Sequence, residues 1–593
     1  MILAGCVPGF PLSWWVVKPA TVRARQGGSE WSLRQADPGT VLGLQRALGI
    51  HPVVARVLAA RGIEEEGEAR DYLTPRLAQL GPPTAMAGME QATQRLGEAV
   101  LQGELVGIFG DYDVDGISSC VLLADYLRRA GGKVTIRVAC RDEGYGLGVP
   151  QAEEMARRGC TLLVLMDCGT SDHAAVAAAT EEGVDVVAVD HHRLTHDDWP
   201  GLVLVNPHRP DCGFPFKGLT SVGLAFYVVA SLRRFLERHG HTAPDPRESL
   251  DLVALGTVAD VAPLQRENRI LVSRGLMQLG RTGRPGLREL MRLANMTPER
   301  TPTSDEVGWR LGPRINAPGR LGDASVSLDC LWERDAGKGI LSARRCDVLN
   351  EQRKSIQARV EAEALALGRE QVERGLAFVL VAGKDWHPGV VGIVASRLVN
   401  TYHRPAAAVA IGETEEARGS ARSVPELDLV QVFAPCADLM LRYGGHAAAA
   451  GFSVRLDRID ALRQRLHEQA LPMLDGLTAR PLLLDAQLEL SQVDSTLCHE
   501  LGRLGPHGCG NPEPVFVATD VVAQDARLVG EHHLRLRLRQ GGISFPAIGF
   551  NMGERLATLH DRLDIAFCPE LDDFRGPRLQ LRLVDLRPAK EEP

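Results

Sequence analysis

Aromatic residues make up only 5% of the 593-residue chain, and lysine is rarer still, with seven against sixty arginines. Rings on which unpaired bases could stack are therefore sparse; the arginine excess reads first as genomic bias, although arginine is also the better bidentate phosphate ligand. The twelve cysteines contain no C-x-x-C pair. That excludes a zinc ribbon and a disulfide scaffold and favours a reducing cytoplasm. No run of about 18 apolar residues occurs, so no membrane span is expected. Basic charge is not in excess either: the net charge is -8, and any nucleic-acid binding must rest on local patches. The opening Met-Ile-Leu-Ala-Gly-Cys6 superficially matches a lipoprotein cleavage box but lacks a basic segment and an adequate apolar stretch, so chance or a misplaced start is the reading. There is no internal repeat and no long low-complexity tract.

An apolar content of 45% with 24% charged residues is that of a globular protein, and the length calls for several domains. Residues 1–35 show no clear periodicity and read as a leader, followed by mostly helical spacing over residues 41–101. Short apolar runs at 105–109, 162–166 and 184–189 then each end in an acid, with helical stretches such as 121–130 and 174–182 between them. That alternation predicts a parallel sheet with helices on both faces. Neither Gly nor Pro interrupts residues 340–367, which predicts a helix of about 28 residues, roughly 42 Å, able to bridge two domains. Strands at 376–381 and 406–411 suggest a second α/β unit closing near Gly451, and the alternating strands after Leu482 suggest a small β-barrel.

The strongest local signal is Asp111-Tyr-Asp113-Val-Asp115-Gly116 directly after a predicted strand. Three carboxylates at alternate positions repel one another, so a cation or strong hydrogen bonding should accompany them. An EF-hand is a poor match, because no Glu stands at the twelfth position of the loop. Asp167 and the cluster Asp190-His191-His192 also end strands, and in a parallel sheet such ends share one carboxyl edge, where ligands bind. Any one of these acids alone is more simply a helix cap. Together they predict a hard or borderline divalent ion, Mn²⁺ or Mg²⁺, and a pair of such ions suits phosphoester hydrolysis.

Taken with these acids, Glu143-Gly-Tyr-Gly-Leu147, Asn206-Pro-His208, Gly256-Thr-Val-Ala-Asp-Val-Ala-Pro263, Gly312-Pro-Arg-Ile-Asn-Ala-Pro-Gly-Arg320, Trp386-His-Pro-Gly-Val-Val-Gly392, Gly419-Ser-Ala-Arg-Ser423 and Gly444-Gly-His446 give a resemblance. From about residue 70 onward the sequence resembles the DHH phosphoesterase superfamily, and within it the RecJ type of single-strand-specific exonuclease. The resemblance implies a multidomain α/β fold: a parallel-sheet DHH domain, a connecting helix, a DHHA1-type domain and an OB-like barrel. The expected limits are 1–100 for the leader and N-terminal helices, then 101–335, 336–375, 376–460 and 461–593. It implies two Mn²⁺ or Mg²⁺ ions held by Asp113, Asp115, Asp167, His191 and Asp260, with Asp167 shared. Asp111 and His192 are implied in the same site, as ligands or as groups facing ligand and phosphate, and Asp111, Asp167 and His192 are expected to carry catalysis. Some relatives have a His where Phe109 stands here, which would cost one ion a nitrogen ligand. Asp260 is expected only from the resemblance, since residues 252–258 otherwise read as core.

For the substrate, Arg314, Asn316 and Arg320 are expected in a Pro- and Gly-rich loop aimed at a phosphate. Gly444, Gly445 and His446 would bring backbone N–H groups near another. Ser420 and Arg422 match the family's nucleotide-binding pair, and Arg141 occupies a phosphate-contact position. On the barrel, Arg535, Arg537 and Arg539 would form one basic face for single-stranded DNA, with Phe545 and Phe550 as the stacking candidates. The implied activity is 5′-to-3′ degradation of single-stranded DNA to nucleotides in recombination and repair. The implied partners are the strand itself and a helicase or single-strand-binding protein, with no membrane. A related phosphatase or short-oligonucleotide hydrolase would not need the 130 or so residues after the second unit. A strand-binding scaffold without metals would not need the acids.

Overall fold

The computed structural model describes residues 30–141, 143–144, 146–194, 198–297, 299–474, 481–530, 532–572 and 578–589. Cys6 and most of the leader lie outside them. The described chain forms two compact units, one from residues 80–474 and one from residues 30–79 with 481–589.

In the larger unit, five parallel strands run in the order Lys133–Val138, Leu105–Gly110, Leu162–Met166, Asp185–Val189, Val203–Val205. The central ones are buried on both faces, which explains their unbroken apolar sequence. Phe109, Leu163, Leu165, Val186 and Ala188 face one side, where Ala152, Met155, Val176 and Ala179 of two helices cover them. Helices Val114–Arg129 and Ser221–Arg238 cover the other side, and Leu250–Ala259, buried along nearly its whole length, packs against both.

The connecting helix is longer than expected: Ala336–Glu373, 38 residues and about 57 Å. Its extra turns contain Gly339 and Gly368, which ordinarily weaken a helix. Here a Cβ at Gly339 would meet the Gly286 nitrogen at 3.0 Å, and one at Gly368 would meet the Tyr402 ring at 2.8 Å, so the glycines admit neighbouring helices.

A second sheet follows in the order Met440–His446, Ala449–Arg455, Glu416–Arg422, Ala406–Ile411, Val379–Lys384, with only the last pair parallel. Helix Val391–Tyr402 and residues Val360 and Ala364 of the connecting helix cover one face. Ile459, Leu462, Leu466 and Ala470 of helix Ile459–Leu474 join the core on the other, so this part runs past Gly451 to Leu474.

In the smaller unit, strands Phe516–Val529, His533–Gln540, Ile543–Gly549, Arg578–Pro588 and Arg562–Asp572 pair in that order, and the last pairs back to the first, closing a five-stranded barrel. Val54, Leu58 and Leu73 of the N-terminal helices share its core with Phe516 and Phe567. The tail of the expected leader is a strand: Trp31–Leu33 pairs in parallel with Leu482–Leu484, and Trp31 Nε1 donates to Asp585 at 3.0 Å.

Gly275 shows how tightly the helices behind the site are set. A Cβ there would run into the Leu250 carbonyl and lie 2.6 Å from Ala254 Cβ. Gly275→Val should therefore cost about 1–3 kcal/mol, read as a lower thermal unfolding midpoint. An unchanged midpoint would mean that the two helices separate freely.

Candidate metal centre

The acids converge because each stands one residue beyond the last rung of a parallel ladder. Asp111 N donates to the Met166 carbonyl at 3.3 Å, Asp167 N to Val189 at 3.1 Å and Asp190 N to Val205 at 3.1 Å. Asp113 caps helix Val114–Arg129, its side chain accepting from Gly116 N at 3.0 Å, and Asp115 lies in the first turn. Both oxygens of Asp115 meet the start of helix Ser221–Arg238, accepting from Ser221 N at 2.8 Å and Val222 N at 3.0 Å. Asp260 follows the last turn of Leu250–Ala259. A Cβ at Gly256 in that helix would lie 2.9 Å from Asp115 Oδ1, so glycine lets the two ligand-bearing helices approach.

Among the described residues, three sets of donor atoms each lie within 4.8 Å of one another: Asp111, Asp113 and Asp167; Asp115, His191 and Asp260; and Asp167, His191 and His192. All seven residues expected in the site are thus brought together, and Asp167 belongs to two sets. His191 Nε2 is 3.2 Å from Asp167 Oδ1 and 3.9 Å from Asp115 Oδ2. Asp167 holds a left-handed backbone conformation with φ of 62°. Such strain persists where the surroundings over-determine it, typically at a functional site.

Charge makes the same point. Burial and the neighbouring Asp113 push Asp111 up to about 8, and burial and Asp113 push Asp115 up to about 7. Burial and the surrounding aspartates raise Asp167 and Asp260 well above the carboxylate range. Burial takes His191 down to about 3, so at neutral pH it offers a lone pair and no charge. Burial would also lower His192, but the bond from its Nδ1 to Asp190 at 2.7 Å outweighs this and lifts it to about 9. Asp190 is held below the usual range despite burial, chiefly by that bond.

Two observations fit divalent ions. Asp111 Oδ1 is buried without a hydrogen-bond partner, as expected of an oxygen kept for a cation. The donors are carboxylates and imidazoles, while the nearby buried thiols of Cys120 and Cys168 belong to none of the sets, and such a donor set suits Mn²⁺ or Mg²⁺. Phe109 is wholly buried among Leu163 and Leu165 and lends no ligand.

Beside this cluster lies a group of guanidinium ions. Arg141 sits 4.6 Å above the Tyr112 ring and donates from Nε to the Gly319 carbonyl at 3.1 Å. Arg320 is pushed down to about 10 by burial and by Arg141, Arg353 and Arg422. Arg422 donates to Ser420 Oγ at 2.9 Å, and a Cβ at Gly392 would touch both. His446, on the exposed edge strand with Gly444 and Gly445, is lowered by burial and by the charges of Arg422 and His192.

The segment 312–320 is not a loop. It is helix Gly312–Leu321, entered through a π-helical turn Val307–Leu311. Pro313 falls in the first turn, where its missing N–H is not needed. Pro318 removes the ladder donor that would serve the Arg314 carbonyl, and Ser327 Oγ separately donates to the Ile315 carbonyl at 2.6 Å. Of its residues, Arg320 joins the cluster. Arg314 instead pairs with Asp347 at 2.8 Å, tying the helix to the connecting helix, and Asn316 is half-buried. On the barrel, Arg535, Arg537 and Arg539 alternate with buried leucines and face solvent. Phe545 packs against the barrel core, whereas Phe550 is exposed and edge-on to His533 at 5.3 Å.

Sequence reading missed the part played by Asp190. Its position in the Asp-His-His triplet was visible, but its hydrogen bonds to His191 N, His192 N and Thr170 N were not.

Strand-end acids, imidazoles and adjacent guanidinium ions on this fold define a metal-dependent phosphoesterase of the DHH class. Family descriptions match in three places: "DHH family, N-terminal domain" at 105–257, "DHHA1 domain" at 375–470 and "RecJ OB domain" at 484–585. The single-stranded-DNA-specific exonuclease RecJ of Salmonella typhimurium is 36% identical over 91% of this chain and 96% of its own. The RecJ of Bacillus subtilis is 34% identical, and the chain spans 66% of its length. A crystal structure of RecJ in complex with Mn²⁺ from Thermus thermophilus superposes with a TM-score of 0.80 at 30% identity, covering 95% of this chain and 80% of that one. The chain belongs to the RecJ family.

The raised carboxylates give a pH test. At pH 6.5 the folded, metal-free site holds protons on Asp111 and Asp115 that the unfolded chain has released, and above pH 6.5 His192 keeps a proton that the unfolded chain is losing, so stability falls as pH rises towards 8. A divalent ion replaces the carboxylate protons. The gain in unfolding midpoint on adding Mn²⁺ should therefore be larger at pH 8 than at pH 6.5. An equal gain at both would contradict buried, proton-holding ligands.

Proposed function

We propose that the protein is an exonuclease that degrades single-stranded DNA from the 5′ end to nucleotides by metal-dependent phosphodiester hydrolysis, in recombination and repair. The observation that carries this reading is the packing of two overlapping ligand sets around Asp167 beside Arg141, Arg320 and Arg422. A partly buried group of like charges is costly until an anion joins it, and a terminal phosphate supplies that anion.

Asp111, Asp113, Asp115, Asp167, His191 and Asp260 would hold the ions. The chemistry that two divalent ions would supply there is Lewis-acid activation of water and neutralisation of charge on the phosphate. The chain itself does the rest. Arg320, Arg422, Ser420 and Arg141 orient the phosphate, and the edge strand at Gly444 and Gly445 offers backbone N–H groups. Charged His192, kept protonated by Asp190, faces the negative phosphate as a donor. Arg535 and Arg537 on the barrel would bind strand backbone without reading sequence. A cytoplasmic setting, with a helicase or a single-strand-binding protein presenting the strand, belongs to the same proposal, because a single-strand-specific enzyme needs unwound DNA.

Labelled long single strands, dinucleotides and pyrophosphate offered with Mn²⁺ test this directly. Release of mononucleotides from the long strand is expected, and hydrolysis of the small substrates alone would favour a phosphatase. Asp167→Ala should abolish cleavage yet keep strand binding, which rests on phosphate contacts elsewhere. Normal turnover by that variant would remove the site.

A further inference from the structure

The motif Asn206-Pro-His208 has no part in the chemistry above, yet Asn206 is wholly buried beside it. It follows strand Val203–Val205, so it stands at the same carboxyl edge as Asp167 and Asp190. Its amide orientation is fixed by its partners. The His208 N–H can only donate and meets Oδ1 at 2.8 Å, whereas the His192 carbonyl can only accept and meets Nδ2 at 2.8 Å. The second Nδ2 hydrogen goes to Thr170 Oγ1 at 3.0 Å. Thr170 N in turn donates to Asp190 Oδ2 at 3.0 Å, and Asp190 Oδ1 binds His192 Nδ1 at 2.7 Å. The bonds close a ring through Asn206, Thr170, Asp190 and His192, made from three successive strand ends.

We infer that Asn206, acting through Thr170 and the His192 carbonyl, is a positioning residue that sets the Asp190–His191–His192 segment against Asp167 and so fixes the affinity of the site for its divalent ions. Each of the ring's four members is oriented by two others. Removing the two amide donors frees the His192 backbone and the Thr170 loop, while leaving every proposed ligand in the chain. Residues that orient metal ligands typically change affinity by about tenfold to a hundredfold when removed. The inference rests on the metal-dependent reading of the site, and it is tested without relying on cleavage.

Mn²⁺ binding to the full-length, metal-stripped protein can be titrated by the electron paramagnetic resonance of the free ion, with the thermal midpoint of the metal-free protein measured alongside. Asn206→Ala and Thr170→Val should each weaken Mn²⁺ binding by about tenfold or more, and Thr170→Ser, which keeps the hydroxyl, should restore it. Thr170→Val nearly preserves shape, so it remains informative should Asn206→Ala unfold. Wild-type Mn²⁺ affinity in Thr170→Val, with only a lower midpoint in Asn206→Ala, would reduce the ring to a structural tie and overturn the inference. A wild-type protein that binds Mn²⁺ but cleaves no single strand would overturn the exonuclease reading and leave this one intact.

Discussion

Repulsion among buried carboxylates is the constraint on which the rest of the larger unit depends. Asp111, Asp115 and Asp167 are each at most 4% exposed, and with Asp113 and Asp260 they crowd one edge of a sheet whose interior is otherwise apolar. Such a concentration of charge is tolerable only if protons or cations neutralise it. The fold supplies geometry and only part of the compensation, through the N–H groups donated to Asp113 and Asp115: parallel ladders set three strand ends level, and two helix starts bring Asp113 and Asp115 to the same place. The strain at Asp167 and the close approach at Gly256 are accepted for the same convergence.

A complementary imbalance lies beside it. Arg141, Arg320 and Arg422 are partly buried with like charge, and burial together with the neighbouring guanidinium groups lowers Arg320. An acidic edge that wants cations next to a basic cluster that wants an anion is the electrostatic description of a phosphodiester site, independent of any family. Planar, partly buried guanidinium groups tolerate such a position better than ammonium groups would.

Much of this was legible in the sequence, for identifiable reasons. Fully buried parallel strands have no polar face, so the runs ending at Asp111, Asp167 and Asp190 were plain. Alternation in 533–539 reported one buried and one exposed face of the barrel. The failures also have physical causes. Helix Gly312–Leu321 carries two prolines and two glycines and so reads as a loop, yet Gly319 is there because a Cβ would lie 2.9 Å from the Tyr112 carbonyl. Gly339 and Gly368 likewise hid the true length of the connecting helix, since they serve packing and not helix termination. Asp260 was invisible without the resemblance, because it caps a helix with no polar face. The ring through Asn206 depends on tertiary hydrogen bonds that no local pattern records.

Diffraction at the manganese edge from crystals grown with Mn²⁺ tests the central claim most directly. Two anomalous peaks are predicted, both within coordinating distance of Asp167, one also beside Asp111 and Asp113 and the other beside His191. Peaks elsewhere, or none at an edge where these carboxylates remain crowded, would contradict it.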